Sequence, residues 1–176
     1  MNYYFKRISE SLIFRNARMS DVPAIMTVIK AAVAQMIAEG KQQWDESYPG
    51  KSHISCDVAG GTGYVLEHEG IVIGYAAVVF TGEPAYDSID GKWLTNERYV
   101  IVHRLAVSQN IMNQGYGRAF MTAIENYAHA LGFRSFKVDT NFDNERMLSL
   151  LDRLGFSYCG EIRYDRGVRK AFEKLI

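Results

Sequence analysis

A glycine-bearing turn between a strand and a helix is the first segment of this sequence whose residue types suggest chemistry. The turn, residues 113–117, reads Asn-Gln-Gly-Tyr-Gly and follows a strongly apolar segment. Glycine lets the backbone approach a ligand closely. The N–H groups and the dipole at a helix start attract negative charge. The spacing therefore predicts an anion site, and a phosphate group would fit it.

Two common phosphate-binding motifs do not fit this turn. No Gly-Lys-Ser/Thr follows it, so it is not a Walker loop. The third glycine of the dinucleotide fingerprint Gly-x-Gly-x-x-Gly is replaced by Phe120, so a Rossmann-type nucleotide-binding protein is disfavoured. A glycine pair is also common in purely structural turns, so the chemistry depends on the surrounding elements.

The turn joins the strongest strand signal of the chain to an amphipathic helix. Residues 98–108 are apolar at both alternating sets of positions, which predicts a central strand covered on both faces. Apolar residues at helical spacing predict a helix over 115–131. A strand over 133–140 and a helix over 143–154, stopped by Gly155, are predicted next.

The remaining segments complete an alternating α/β pattern. We expect a helix capped by Ser20 and ended by Gly40, two strands joined at Glu69-Gly70, and a C-terminal hairpin turning near 165–167. The two strands span 62–68 and 71–80. A short helix near 51–59 and a long connection over 81–97 are also predicted. The order β-α-(α)-β-β-β-α-β-α-β-β predicts a mixed α/β sheet with helices on its faces, in a single domain over 1–176.

Two ordered runs resemble a known family. The run HRLAVSQNIMNQGYGRAFMTAIENYA, residues 103–128, resembles motif A of the GNAT (Gcn5-related N-acetyltransferase) superfamily. The run NERMLSLLDRLGF, residues 144–156, resembles motif B. The resemblance covers 98–176 well and is looser in the N-terminal half, where segments look like those of uncharacterised bacterial members. It implies a GNAT-like, mostly antiparallel central sheet, splayed between its fourth and fifth strands and flanked by about four helices.

The resemblance implies an acetyl-CoA-dependent N-acetyltransferase, in which a primary amine of a small molecule or peptide attacks the thioester directly. Main-chain groups of Leu105, Ala106 and Val107 would bind pantetheine as if it were an added strand. Asn144 matches the motif B asparagine that contacts the cofactor arm. The residues that would hold the pyrophosphate are Met112, Asn113, Gln114, Gly115, Tyr116, Gly117 and Arg118. Met112 and Asn113 depart from the usual Gln/Arg and Gly, but backbone N–H groups survive both changes.

Catalytic assignments are less direct. The tyrosine that often acts as general acid in motif B falls at Leu151, which donates no proton, so water or another group must protonate the leaving thiolate. As general base we consider Asp139, where some members carry a glutamate, and His103, whose imidazole suits proton transfer near neutral pH. Each also has a purely structural alternative: His103 as a satisfied sheet histidine, and Asp139 as a turn cap or an arginine partner.

The acceptor amine would bind among residues 41–61 and 81–97. Trp44, Tyr48, Tyr86 and Trp93 would wall its pocket, and Asp45, Glu46 or Glu83 would hold a cationic amine. The alternative is that these aromatic side chains only cover the sheet. A second function from another class, suggested by Leu151, is a non-catalytic acyl-CoA-binding or sensing module.

Composition excludes several classes. The 20 Lys+Arg balance the 20 Asp+Glu, and zero net charge disfavours a nucleic-acid binder. Two cysteines are too few for a disulfide framework and suit a cytoplasmic protein. No apolar run approaches ~18 residues, so no membrane span is expected. CxxC and HExxH are absent, so no metal is expected. A homodimer could pair through an exposed edge of 156–176.

Overall fold

The structure, a computed structural model, describes residues 5–7, 11–108 and 114–176. The chain divides into two compact units, of which the first comprises Met1–Val78 with Arg104–Ala123 and the second Val79–His103 with Ile124–Ile176. In chain order the elements are β1 (Phe5–Arg7), β2 (Leu12–Asn16), α1 (Val22–Ala38), α2 (Lys51–Ala59), β3 (Gly63–His68), β4 (Ile71–Val79), β5 (Asp90–Gly91), β6 (Tyr99–Val107), α3 (Tyr116–Ala130), β7 (Ser135–Thr140), α4 (Glu145–Arg153), β8 (Ser157–Tyr164) and β9 (Gly167–Leu175).

The first unit is built on an antiparallel ladder in which β2 pairs with β1 and β3, and β3 pairs with β4. The β3–β4 hairpin turns at Glu69-Gly70, as predicted. Both residues have positive φ, 51° and 81°, which matches the tight turn that suits the twist of a two-residue hairpin. One face of α1 packs with α2 and these strands around Ile25, Ile29 and Tyr75.

Helix α1 begins at Val22 rather than after a Ser20 cap, because Ser20 lies inside a short 3-10 turn, Met19–Asp21. The Asp21 carboxylate accepts hydrogen bonds from the Arg15 guanidinium and the Arg18 backbone N–H. Gly40 follows the end of the helix with φ 70°, as predicted.

The stretch Met19–Ala38 is long and apolar enough to cross a membrane by length and composition alone. Six of its side chains, however, are buried in the core of the first unit: Val22, Ile25, Val28, Ile29, Ala32 and Val33. A helix with such a buried face is typical of the core of a globular unit.

The second unit combines one parallel and several antiparallel pairings. The first half of β6 runs parallel to β7, whereas β7–β9, β8–β9 and β5–β8 are antiparallel. The β8–β9 hairpin turns between Tyr164 and Gly167, as the sequence predicted. Strand β5 and a 3-10 turn over Pro84–Ser88 lie in the segment for which only a long connection was expected.

The fold class is confirmed as mixed α/β, with mostly antiparallel pairing and four α-helices among the described residues. The parallel pairing of β6 with β7 extends from Tyr99–Ser135 to Val102–Val138. Both strands continue past those residues, β6 to Val107 and β7 to Thr140. The single domain over 1–176 stays a prediction.

Candidate active site

The first residues after the last β6–β7 parallel pair are His103 and Asp139, the two candidate bases. The imidazole Nδ1 lies 3.9 Å from Asp139 Oδ2, and its Nε2 lies 3.4 Å from Glu83 Oε2. The structure therefore brings both candidates together and adds Glu83, which the sequence had assigned only to holding a cationic amine. A ring nitrogen beside carboxylates is an arrangement that can accept and pass on a proton.

Asp139 is held by two tyrosines. Tyr86 Oη and Tyr164 Oη both donate to Asp139 Oδ2, at 2.8 and 3.0 Å. Burial, reinforced by the Asp139 charge, raises the pKa of both tyrosines well above the ordinary value, so both hydroxyls stay protonated and keep donating. An ionised carboxylate only accepts hydrogen bonds, which matches two hydroxyl donors.

Tyr86 is fixed by its neighbours in the 3-10 turn and the following loop. Trp93 Nε1 donates to the Tyr86 carbonyl at 3.0 Å, and the two rings lie 5.0 Å apart. The buried ammonium of Lys137 lies 4.1 Å from the Trp93 ring centroid and 3.9 Å from that of Tyr99. Desolvation lowers the pKa of Lys137, although Glu173 opposes this shift.

The chain beyond Tyr86 is anchored by glycines and a buried glutamate. Gly91 pairs with Gly160, and a Cβ on either would collide with backbone of the other strand. Glu173, fully buried, accepts hydrogen bonds from the Leu94 N–H and from Ser135 Oγ. The segment that follows Tyr86 is thus held in the second unit by strand pairing and by hydrogen bonds of the buried Glu173.

The residues expected to bind pantetheine lie on the second half of β6. Ala106 is buried, Leu105 and Val107 are half-buried, and Ser108 N–H donates to the Ile73 carbonyl at 2.7 Å. Just before them, Arg104 has a φ of 54°, in the left-handed region. This local departure from strand geometry gave no signal in the sequence.

The described part of the turn before α3 leads directly into the helix. Gly115 has a φ of 82°, and its carbonyl accepts from the Ala119 N–H at 2.9 Å, so it caps the helix that begins at Tyr116. The N–H groups of Tyr116, Gly117 and Arg118 therefore belong to the first turn, which has no preceding helical carbonyls. Gln114 and Arg118 are exposed. Met112 and Asn113 lie outside the described residues.

Motif B residues are placed on α4. Asn144 is the N-cap of this helix, and its Oδ1 accepts from the Met147 N–H at 3.3 Å. Its contact with a cofactor stays a prediction. Leu151 is fully buried, and its aliphatic side chain makes α4 supply no proton donor at that position.

The predicted acceptor residues occupy different settings. Trp44 is buried in the core of the first unit, and Tyr48 Oη accepts from Arg104 Nη1 at 3.1 Å. Tyr86 belongs to the second unit and is 1% exposed, with its hydroxyl on Asp139. Asp45 accepts from the Ser47 N–H and hydroxyl, and Glu46 is exposed. The assignment of Trp44, Tyr48 and Tyr86 to a pocket wall stays a prediction.

The sequence analysis did not single out Tyr164, whose hydroxyl donates to Asp139, or Arg104, whose guanidinium donates to both carboxylate oxygens of Asp57. Tyr164 is the last residue of a strand and was indistinguishable from other aromatic residues of the hairpin. Arg104 lies inside motif A, but nothing local showed its partner. Within the described part of the chain, no group of three or more His, Cys, Asp or Glu could hold a metal ion.

The chain is similar to known proteins in sequence and in fold. The family model described as "Acetyltransferase (GNAT) family" matches residues 30–156. The structure of a GNAT-family acetyltransferase from Streptococcus agalactiae 2603 is similar to the chain, with 33% identity, a TM-score of 0.86 and 99% of each chain covered. A protein of Staphylococcus aureus Mu50, proposed to be an acetyltransferase, is 25% identical with a TM-score of 0.69, over 92% of this chain and 97% of its own.

A third structure contains a bound cofactor. It is yncA of Salmonella typhimurium, proposed to be an acetyltransferase and solved with its cofactor acetyl-CoA. It is 15% identical, with a TM-score of 0.65 over 94% of each chain, so the likeness concerns the fold. No curated protein matches the chain.

Proposed function

Since this chain belongs to the GNAT family of acetyltransferases, we propose that it transfers the acetyl group of acetyl-CoA to a primary amine of a small molecule or peptide. The observation that carries the proposal is the pair His103 and Asp139, at the two positions where the β6–β7 pairing ends. The imidazole Nδ1 lies 3.9 Å from Asp139 Oδ2. A proton acceptor lies where strand hydrogen bonding between these two strands stops.

Acetyl-CoA would bind by main-chain groups and one arginine. Pantetheine would lie along Leu105, Ala106 and Val107, as an added strand does. The pyrophosphate would meet the N–H groups that open α3, together with Arg118. Backbone donors and a helix dipole neutralise phosphate charge with few basic side chains, which suits a chain with zero net charge.

The reaction needs a neutral amine. His103, or Asp139 beside it, removes a proton from the ammonium form of the acceptor. The amine nitrogen then forms a bond to the thioester carbonyl carbon, and a backbone N–H of the 105–107 segment stabilises the oxyanion. The nitrogen of the intermediate releases its excess proton to solvent. Collapse breaks the carbon–sulfur bond, the electron pair leaves with sulfur as the CoA thiolate, and a neutral amide remains. Glu83, beside His103, would attract a cationic acceptor.

The leaving thiolate needs little help from the protein. Leu151 cannot protonate it, and the hydroxyls of Tyr86 and Tyr164 both donate to Asp139. A thiol of pKa ~8.5 leaves without an acid, so water supplies its proton.

We place the enzyme in the cytoplasm, since Cys56 and Cys159 are both free thiols.

The test is calorimetric titration with acetyl-CoA, followed by a screen of primary amines for release of CoA thiol. Gly115→Glu puts a carboxylate on the turn at a positive φ, and we expect acetyl-CoA binding to be lost. Gly132→Glu is the matched control, because Gly132 also has positive φ, 85°, and open space around its Cβ position. Binding that Gly115→Glu leaves unchanged would overturn the proposal for this turn.

The screen separates the enzyme from the alternative. A non-catalytic acyl-CoA-binding or sensing module would bind acetyl-CoA and release no thiol with any amine. Turnover that requires an amine, with an acetylated product seen by mass spectrometry, supports the transferase.

A further inference from the structure

Arg104 has an unusual backbone for a residue inside a strand. Its φ is 54°, whereas the residues of an extended strand have strongly negative φ. A side chain with a Cβ is uncommon in the left-handed region and costs energy there. Such a conformation persists only when the surrounding structure imposes it.

The Arg104 side chain is held by residues outside its own strand. Its Nε donates to Asp57 Oδ2 at 2.8 Å and its Nη2 to Asp57 Oδ1 at 2.6 Å, a two-pronged ion pair. Nη1 donates to Tyr48 Oη at 3.1 Å, and Tyr75 Oη donates to Asp57 Oδ2 at 2.7 Å. All four residues belong to the first unit, and the Asp57 side chain is 11% exposed. We call these four residues the arginine clamp.

The same unit contains a second arginine–aspartate pair with similar geometry. Arg15 Nη1 and Nη2 lie 2.7 and 3.0 Å from the two carboxylate oxygens of Asp21. Arg15 lies on the regular strand β2, and its φ is not positive. An ion pair of this kind therefore does not by itself require left-handed backbone, and the distortion is particular to Arg104.

We propose that Asp57 is a positioning residue for acetyl transfer, acting through Arg104 to fix the direction of the Leu105 N–H. This inference rests on the proposed function. A left-handed residue breaks the alternation of N–H directions along a strand, as a β-bulge does. Leu105 follows directly, so its N–H is turned by the distortion and can be directed at the thioester oxygen. Asp57 itself touches no substrate.

The experiment uses acetyl-CoA labelled with ¹³C at the thioester carbonyl and infrared difference spectroscopy. A hydrogen bond to the carbonyl lowers its stretching frequency. With wild-type protein we expect such a downshift. With Asp57→Asn we expect most of it to disappear and kcat to fall about tenfold, since a misdirected oxyanion donor loses its effect. Affinity for CoA, which lacks the carbonyl, should change less than threefold.

Asp21→Asn is the matched control, because it makes the same chemical change in the pair on regular strand. It should keep the wild-type frequency and kcat. Arg104→Lys keeps the positive charge beside Asp57 but loses the two-pronged contact. It should show the same direction of change even if Asp57→Asn fails to fold.

The outcomes separate the two proposals. Wild-type protein that binds no acetyl-CoA would overturn the proposed function, and the clamp with it. A wild-type downshift that Asp57→Asn and Arg104→Lys both keep, with unchanged kcat, would overturn the clamp alone. A loss in Asp21→Asn as large as in Asp57→Asn would also overturn it, because general destabilisation would then explain the change.

Discussion

Asp57 in the first unit and Asp139 in the second are two aspartates that accept hydrogen bonds from tyrosine hydroxyls, yet one lies beside a guanidinium and the other beside an imidazole. Asp57 accepts from Tyr75 and from the guanidinium of Arg104. Asp139 accepts from Tyr86 and Tyr164 and faces the imidazole of His103 at 3.9 Å. A guanidinium keeps its proton at any physiological pH, whereas an imidazole exchanges one near neutrality. The first arrangement suits holding a backbone, and the second suits moving a proton.

The two partners, His103 and Arg104, are consecutive in the chain. One strand thus carries both kinds of group side by side, and the choice of partner separates their roles. The comparison predicts that a substitution at Asp57 mainly lowers stability. A substitution at Asp139 or its neighbours should mainly change the pH dependence of turnover.

The largest effect is expected from Asp57→Asn on stability. Removing one member of a largely buried ion pair leaves the Arg104 charge uncompensated, so the free energy of unfolding should fall by about 3 kcal/mol. Asp139→Asn should cost about 1 kcal/mol, since the amide oxygen still accepts from both tyrosines. Urea denaturation followed by circular dichroism measures both. Equal losses would remove the distinction between the two aspartates.

His103→Ala should lower kcat/KM about 100-fold, because a positioned general base contributes that much or more. The acidic limb of the pH–rate profile should also disappear. The exposed His129 offers a control, and His129→Ala should leave both unchanged. If His103→Ala keeps the rate and the acidic limb, and Asp139→Asn does too, neither residue is the base.

A further test removes one tyrosine hydroxyl from the arginine clamp and one from the residues around Asp139. Tyr75→Phe and Tyr164→Phe each delete one bond to a carboxylate and should cost about 1.5 kcal/mol. Only Tyr164→Phe should move the pH dependence of kcat, because Arg104 gives the Tyr75 cluster a fixed charge. A shifted profile in Tyr75→Phe with none in Tyr164→Phe would reverse the assignment of roles.

The smallest effect is on stability at alkaline pH. Burial raises the pKa of Tyr75 and Tyr164 above the ordinary value of 10, and the charges of the neighbouring carboxylates add to this shift. The folded state then keeps protons that the unfolded chain releases, so stability falls as pH rises above about 10. Between pH 9 and 10.5 each tyrosine should account for less than about 1 kcal/mol. Urea denaturation of Tyr164→Phe should show a shallower decline than wild type, and parallel declines would contradict this.

Local pattern predicted most of the elements well. The strand over 98–108 is observed as Tyr99–Val107, and the helix over 143–154 as Glu145–Arg153. Periodicity and stop signals such as Gly155 act over a few residues, so one sequence contains them. The predicted cap of α1, Ser20, was wrong by one residue, because Asp21 precedes the helix and its carboxylate accepts from Arg15 and Arg18. Strand β5 was missed, because two residues with a glycine give no periodic signal.

The candidate site was partly predictable. Glycine spacing supplied the turn before α3, His103 stood out as an imidazole at the start of motif A, and the family resemblance supplied Asp139. It did not supply Tyr164, which meets Asp139 only because β7 and β8 both pair with β9. Nor did it supply Asp57, which lies 47 positions before its partner Arg104.

The sequence by itself determined the strand–turn–helix unit around Gly115, the order of the elements and the family resemblance. These follow from side-chain periodicity, from glycine's access to positive φ and from short runs of contiguous residues. Only the tertiary structure decided which ionisable side chains lie next to each other. His103 lies beside Asp139 and Glu83, and Arg104 lies beside Asp57. The physical reason is that contacts between these side chains depend on strand register and on the packing of elements that are distant in the sequence. A shift of one residue along β6 would turn each of these side chains to the other face.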